Sequence, residues 1–173
     1  LGFIIDADSS KAQQRPYELY SWNSKNDKAE LIAHKENAPS GFNVSSKGSL
    51  SFSKDESKLY FGLARPEIFQ DTLLLDEEIV NVEVWTYDEP RLYTVQEKQL
   101  KNDKDKSYRT AFHLKEKKLI QIETEEFPNS ILGDEGNAEY ALISTREPYQ
   151  LRSQWTGLFS ANDLAVINVN NGS

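Results

Sequence analysis

The segment Leu50-Ser51-Phe52-Ser53-Lys54-Asp55-Glu56-Ser57-Lys58-Leu59-Tyr60-Phe61-Gly62 decides how the chain is read. Leu59, Phe61 and Leu63 share one side of an extended backbone, and the polar stretch Ser53 to Ser57 separates them from Leu50 and Phe52. Alternation flanking a cluster of turn formers marks an antiparallel hairpin, because successive side chains of a strand point to opposite faces. The pattern recurs on both sides. Toward the N-terminus, Tyr17 to Trp22 alternates, a turn follows at Asn23 to Lys28, and Ala29 to Ala33 returns; Leu1 to Ile5 is a further apolar, strand-like run. Toward the C-terminus come Ile79 to Tyr87, with Val80, Val82 and Val84 against Asn81, Glu83 and Trp85, and then Tyr108 to Leu114, Leu119 to Thr124, Glu139 to Ser144 and Asp163 to Val169. The expected class is all-β, built from half-buried antiparallel strands.

The connectors agree with this expectation. Leu114-Lys115-Glu116-Lys117-Lys118 is a charged turn, and Gly133-Asp134-Glu135-Gly136-Asn137 holds glycines able to supply positive φ. Leu92 to Leu100 reads either as a helix, with Leu92, Val95, Gln96 and Leu100 on one face, or as an extended bridge. Arg65 to Asp76 is irregular and is expected to lay a loop or a single turn against the sheet.

Two units repeat. A strand, a charged turn and a second strand occur at 17–33 and 108–124 and begin again at Asp163; the hairpin at 50–62 has a degraded second copy at 130–142. The spacing is irregular and longer on average than the ~40–45 residues of a compact propeller blade. Insertions at 65–78 and 92–106 account for the excess. The architecture expected is a partial β-propeller of two to three antiparallel blades, at least one incomplete. Its divisions fall at about 1–49 (partial blade), 50–125 (blade with insertions) and 126–173 (partial blade). An all-β domain of another kind is the alternative left by the irregular period.

Composition bounds the function. The chain has 173 residues and a net charge of −8, which argues against a nucleic-acid surface, since such a surface needs a concentrated positive field. No apolar run approaches the roughly 18 residues that cross a bilayer. Without cysteine there is no disulfide, no thiolate metal site and no thiol nucleophile. The start at Leu1, the absence of Met and the closing turn Asn170-Asn171-Gly172-Ser173 give the expectation of an excised segment.

Two stretches carry a resemblance. Ser51-Phe52-Ser53-Lys54-Asp55-Glu56-Ser57-Lys58-Leu59-Tyr60-Phe61 is similar to the hairpin of β-propellers attached to prolyl oligopeptidase-type serine peptidases, and to that of periplasmic propellers of the translocation-protein type. Val80-Asn81-Val82-Glu83-Val84-Trp85-Thr86-Tyr87-Asp88, with Leu92, Gln99-Leu100 and Lys104-Asp105-Lys106-Ser107-Tyr108, resembles a stretch of long bacterial members of that peptidase family. Lys54 stands where the family favours Pro and Glu56 where it favours Gly, and the turn Lys115-Glu116-Lys117 has no glycine. The resemblance implies a non-catalytic propeller that gates access of short peptides to a downstream α/β-hydrolase domain, in a secreted or periplasmic setting. Its implied partners are that hydrolase domain and the peptide substrate. The alternative function is a stand-alone propeller scaffold that binds protein or glycan, with no enzyme attached. No Gly-x-Ser-x-Gly elbow occurs, so no catalytic residue is assigned and the segment itself is expected not to hydrolyse peptides.

The remaining candidates have ordinary explanations. His34 and His113 lack a recognisable nucleophile or third ligand and read as surface or strand-face histidines. The carboxylates Asp6/Asp8, Asp76-Glu77-Glu78, Glu123/Glu125/Glu126 and Asp134-Glu135 read as solvated faces and turns. Asp103-x-Asp105-x-Ser107 fails as a calcium loop, since Tyr108 stands where Gly is needed and Leu114 where Glu is needed. Tyr17, Tyr20, Trp22, Trp85, Tyr87, Tyr93, Tyr149 and Phe159 read as core, with Trp155 least explained by packing. The basic run Lys98, Lys101, Lys104, Lys106 and Arg109 is neutralised by Glu97, Asp103 and Asp105, Arg146 and Arg152 flank Pro148 in a loop, and Asn43-Val44-Ser45 is a chance-level sequon. No cofactor or metal is expected. A cut ring exposes strand edges, so the segment is expected to self-associate through them.

Overall fold

The computed structural model describes residues 1–6, 8, 14–69, 73–78 and 86–173. The elements run β1 (Gly2–Asp6), β2 (Tyr17–Ser21), β3 (Glu30–Ala33), β4 (Asn43–Val44), β5 (Ser51–Phe52), β6 (Lys58–Ala64), α1 (Tyr93–Lys104), β7 (Tyr108–His113), β8 (Lys118–Gln121), β9 (Asn129–Leu132), β10 (Tyr140–Thr145), α2 (Glu147–Thr156) and β11 (Asp163–Asn168). Single 3₁₀ turns lie at Asp76–Glu78 and Asp134–Gly136. The strands form two antiparallel sheets. One follows the order β1-β2-β4-β6-β7-β8, with β3 beside β2 and β5 beside β6; the other is β11-β10-β9.

The larger sheet bends at β4, so that its two halves face each other. A Cβ built on Gly2 in β1 would lie 3.3 Å from the Leu59 side chain in β6. A flat sheet would hold those strands about 14 Å apart, three strand spacings along the path. Between the halves lies a core of Leu19, Ile32 and Ala33 from the first half against Leu59, Phe61, Leu63 and Phe112 from the second. The opposite face of the second half carries Tyr60, Ala111 and Ile122, which pack on Ala141, Ile143, Ile167 and Val169 of the smaller sheet. The fold is therefore three β layers deep, and the middle layer is buried on both sides.

β6 shows how the sequence dictates this. Its residues are apolar at both parities, with Leu59, Phe61 and Leu63 aimed at the first core and Tyr60 at the second. Continuous apolarity is what two-sided burial selects. The cross-strand register is consistent: Leu59 faces Phe112 and Tyr60 faces Ala111.

The structure corrects the expected fold at several points. Two helices, of 12 and 10 residues, exclude an all-β chain. Both sheets end in free edges, and no ring of radial blades closes among the described residues. The partial propeller is overturned by this mixed, open arrangement. With it fall the resemblance to prolyl oligopeptidase-type peptidases, the gating role and the stand-alone propeller scaffold. The span Leu92 to Leu100 resolves as α1, its Glu, Gln and Lys being good helix formers with Lys101 and Lys104 at the favourable C-terminal end. The loop expected around Arg146 and Arg152 is instead α2, with a proline in its first turn and Gly157 closing it at φ +66°. The strand expected at Ile79 to Tyr87 lies outside the described residues up to Trp85, while Tyr87 is in a turn.

Antiparallel pairs form within the hairpins expected at 17–33, 50–62, 108–124 and 130–142, the third ending its second strand at Gln121. Two of the turns do without glycine where glycine is usual: Glu56 and Lys117 both adopt φ near +55°. In the first, Asp55 supplies compensation. Its Oδ1 accepts bonds from the Ser53 hydroxyl (2.7 Å), the Ser57 hydroxyl (2.8 Å) and the Ser57 N–H (3.0 Å). These bonds, led by that from Ser53, hold its carboxyl down at about 2. Because this lies below the unfolded value of about 3.9, the contribution is complete above pH ~4 and is lost as pH falls from ~4 to ~2. Asp55→Asn is expected to flatten that part of the acid limb in a plot of melting temperature against pH; an unchanged slope would show that the turn does not hold the charge.

Candidate interaction surface

The smaller sheet is packed on one face only. Its register pairs Leu142 with Val166 on one side and with Ile131 on the other, and pairs Ser144 with Leu164 and Asn129. These residues, together with Tyr140, alternate with the buried Ala141, Ile143 and Ile167 and so point away from the core. Exposure is 68% at Ile131, 63% at Leu164, 62% at Val166, 54% at Tyr140 and 37% at Leu142. No outward position of this sheet carries a charge, although 28% of the chain is charged. A solvated antiparallel face normally alternates to polar residues. This one is composed like a face meant to be covered.

A smaller apolar surface lies at the opposite end of the three-layer stack. Phe3 in β1 stacks on its cross-strand neighbour Tyr20 at 5.8 Å between ring centroids, and Leu31 of β3 pairs with Tyr20 from the other side. Ile5 and Leu31 are exposed there. The Tyr20 hydroxyl donates to Glu18 at 2.8 Å, and this bond to a carboxylate raises the phenol above its ordinary range.

The helices extend the apolar exposure. Neither α1 nor α2 buries a residue, and Leu92, Leu100, Trp155, Leu158 and Phe159 are open to solvent. The two are tied where Gln154 Oε1 accepts the Leu92 N–H at 2.7 Å, beside a cavity of about 90 Å³. Tyr87 and Phe159, expected in the core, are surface residues, and so is Trp155, the aromatic that packing explained least.

The titratable candidates do not converge on a catalytic arrangement. His34 is engaged in a local turn, its Nδ1 accepting the Glu36 N–H. His113 is buried between layers, with Nε2 3.0 Å from the Val169 carbonyl and Nδ1 3.9 Å from Glu116. Asp6 pairs with Arg15, Asp103 with Arg91, Asp105 with Lys47, Glu135 with Lys54 and Glu30 with Lys117. Glu125 takes a two-pronged contact from Arg65, which lowers its carboxyl and raises the guanidinium. Tyr149 donates to Asp163 at 2.6 Å, a bond that raises its phenol. Glu123 departs from the solvated role expected of it: it is buried, accepting the Arg109 N–H at 2.6 Å and the Ser130 hydroxyl at 2.8 Å. Among the described residues no group of three or more His, Asp or Glu could hold a metal ion, and every buried side-chain nitrogen or oxygen has a partner. No described helix is long and apolar enough to cross a membrane.

Clefts offer little more. One of about 200 Å³ is lined by Arg15, Asn43, Lys47, Glu67 and Lys104 over Val44 and Phe69. A broader one of about 620 Å³ opens at the end of the first core beside Trp22, Leu50, Phe52 and Leu114.

The sequence reading missed the outward face of the smaller sheet, although a signal was present. Tyr140-Ala141-Leu142-Ile143 and Leu164-Ala165-Val166-Ile167 are apolar at both parities, as β6 is. Read by the same rule, they call for two-sided burial. Comparison with protein-family models, with curated proteins and with solved structures finds no match.

Proposed function

We propose that the chain is a non-enzymatic interaction module that docks another protein surface on the outward face of β9, β10 and β11. One observation carries this reading: that face is apolar and uncharged where solvent exposure would select polar residues. The five large side chains leave on the order of 500 Å² of apolar surface open, comparable to the largest patch on an ordinary monomer, which is often functional. Covering it would contribute about 10 kcal/mol before the costs of association.

The test uses Leu142→Lys/Val166→Lys. Both residues are outward and exposed, so the fold should tolerate the charges while the face loses its apolar character. Wild-type protein is expected to bind the dye 8-anilinonaphthalene-1-sulfonate in its folded state, and the double variant to bind roughly fivefold less. Near-UV circular dichroism should be unchanged, with the melting temperature within about 3 °C of wild type. Undiminished dye binding, or a fall in melting temperature typical of a core substitution, would defeat the reading.

A further inference from the structure

We infer that the occupant of this face is the opposite end of the stack on a second copy of the same chain, in a head-to-tail contact; the inference rests on the docking reading above. Three features select it.

The first is coverage. The stack ends in two different apolar faces, Ile131, Leu142, Leu164 and Val166 at one end and Phe3, Ile5, Tyr20 and Leu31 at the other. A contact of the outward β9–β11 face with its own copy would leave Phe3, Tyr20 and Leu31 uncovered. Head-to-tail contact buries both faces. The second is shape and chemistry. Apart from Tyr140 one face is aliphatic, and the other is led by the stacked Phe3–Tyr20 pair, so the contact sets apolar rings against branched apolar side chains. The only carboxylate among the first-layer residues facing outward in β1 and β2 register is Glu18, already engaged by Tyr20. The third is size. The β9–β11 face leaves on the order of 500 Å² open and the smaller face adds to it, toward the roughly 1,000 Å² that a specific interface needs. The contact continues between copies the face-to-face stacking of layers that the chain already uses within itself. Since each end is left able to bind again, the assembly grows beyond a dimer.

Sedimentation velocity on the 173-residue protein is expected to show a weight-average mass that rises with concentration past that of a dimer. Complementation then tests the polarity. Leu142→Lys/Val166→Lys blocks one end and Ile5→Lys/Leu31→Lys blocks the other. Each variant alone is expected to stay monomeric, while an equimolar mixture forms a one-to-one pair through the two intact ends. The absence of cysteine allows a second measurement on single, milder substitutions. Leu31→Cys mixed with Val166→Cys should oxidise mainly to the mixed dimer, in excess over either homodimer by about fivefold, as proximity-driven coupling requires. Three results would overturn the inference: wild type remaining monomeric at about 100 µM, a concentration well above the micromolar range of ordinary specific interfaces; the Ile5→Lys/Leu31→Lys variant dimerising alone; or Val166→Cys giving chiefly its own homodimer. If dye binding persists and responds to Leu142→Lys/Val166→Lys while wild type stays monomeric, the docking face stands and the second copy is excluded as its occupant.

Discussion

Gly62→Val is expected to cost at least about 3 kcal/mol and to lower the melting temperature by about 10 °C. Gly62 lies in β6, within the layer buried on both sides, and the backbone of Gly48 crosses directly over it. A Cβ at Gly62 would come within 2.7 Å of Gly48 Cα and 2.9 Å of both Ser107 Cβ and Ser107 Oγ. The approach is reciprocal, since a Cβ at Gly48 would meet Gly62 Cα at 2.5 Å. The nearest obstacle is main chain and the next, Ser107 Cβ, is fixed to its own backbone, so neither can rotate aside as the end of a long side chain can, and the strand or its neighbours must move. Movement of β6 would disturb both cores at once, because Leu59, Phe61 and Leu63 serve one and Tyr60 the other. Gly157→Ala is the matched control. Gly157 has nothing within 4 Å of its added methyl group but adopts φ +66° at the end of α2. It should therefore lose only the ~1 kcal/mol of left-handed strain. Thermal melts of the two variants separate crowding from backbone strain. A Gly62→Val protein melting within about 2 °C of wild type would mean that the two chain segments do not touch as described.

The strands were legible because alternation is a local property. Tyr17 to Ser21, Lys58 to Ala64 and Tyr108 to His113 need no distant information to be extended, and their hairpins follow from the polar residues between them. How the layers stack is not local. The bend at β4 depends on Gly2 meeting Leu59, a contact between residues 57 positions apart that no window of sequence displays. The helices were harder to read for another reason, α1 being one of two readings of its span and α2 being read as a loop. α1 and α2 bury nothing, so neither needs the 3.6-residue apolar stripe by which helices are recognised. Their remaining signals were the punctuation at Pro148 and Gly157 and the helix-forming composition between Tyr93 and Lys104. The candidate surface was readable in principle, since apolarity at both parities distinguishes β10 and β11 from a half-buried strand. The histidines and carboxylates drew attention because of their chemistry, but the acids that pair with basic groups, such as Asp6, Asp103, Glu125 and Glu135, do so in turns and seams. The informative residues here are the plain aliphatic ones.

Glu123→Ala is expected to cost about 3 kcal/mol, and Glu123→Gln roughly half as much, with melting temperatures falling in that order. Glu123 follows β8 and is buried where the middle layer meets the smaller sheet. Oε2 accepts the Arg109 N–H of β7, Oε1 accepts the Ser130 hydroxyl of β9, and Arg109 Nη1 returns to the Ser130 hydroxyl and carbonyl at 2.8 and 3.1 Å. The Arg109 carbonyl in turn accepts the N–H groups of Ile122 and Glu123. The carboxylate thus gives a strand N–H its acceptor and keeps Arg109 directed across the seam. Alanine removes both functions: it leaves the Arg109 N–H and the Ser130 hydroxyl without their acceptor in a confined space and takes away the carboxylate 4.0 Å from the guanidinium. Glutamine keeps one acceptor oxygen and loses the charge. The damage should be directional. Once the clamp is lost, the inner residues Ala141, Ile143 and Ile167 become easier to expose, so amide exchange should accelerate in β9, β10 and β11 before it does in β2 or β6. Dye binding should rise, opposite in sign to Leu142→Lys/Val166→Lys, because a second apolar face opens on the same sheet. Uniform acceleration of exchange across all strands would instead assign Glu123 to general stability and deny it a part in holding the docking sheet against the rest of the fold.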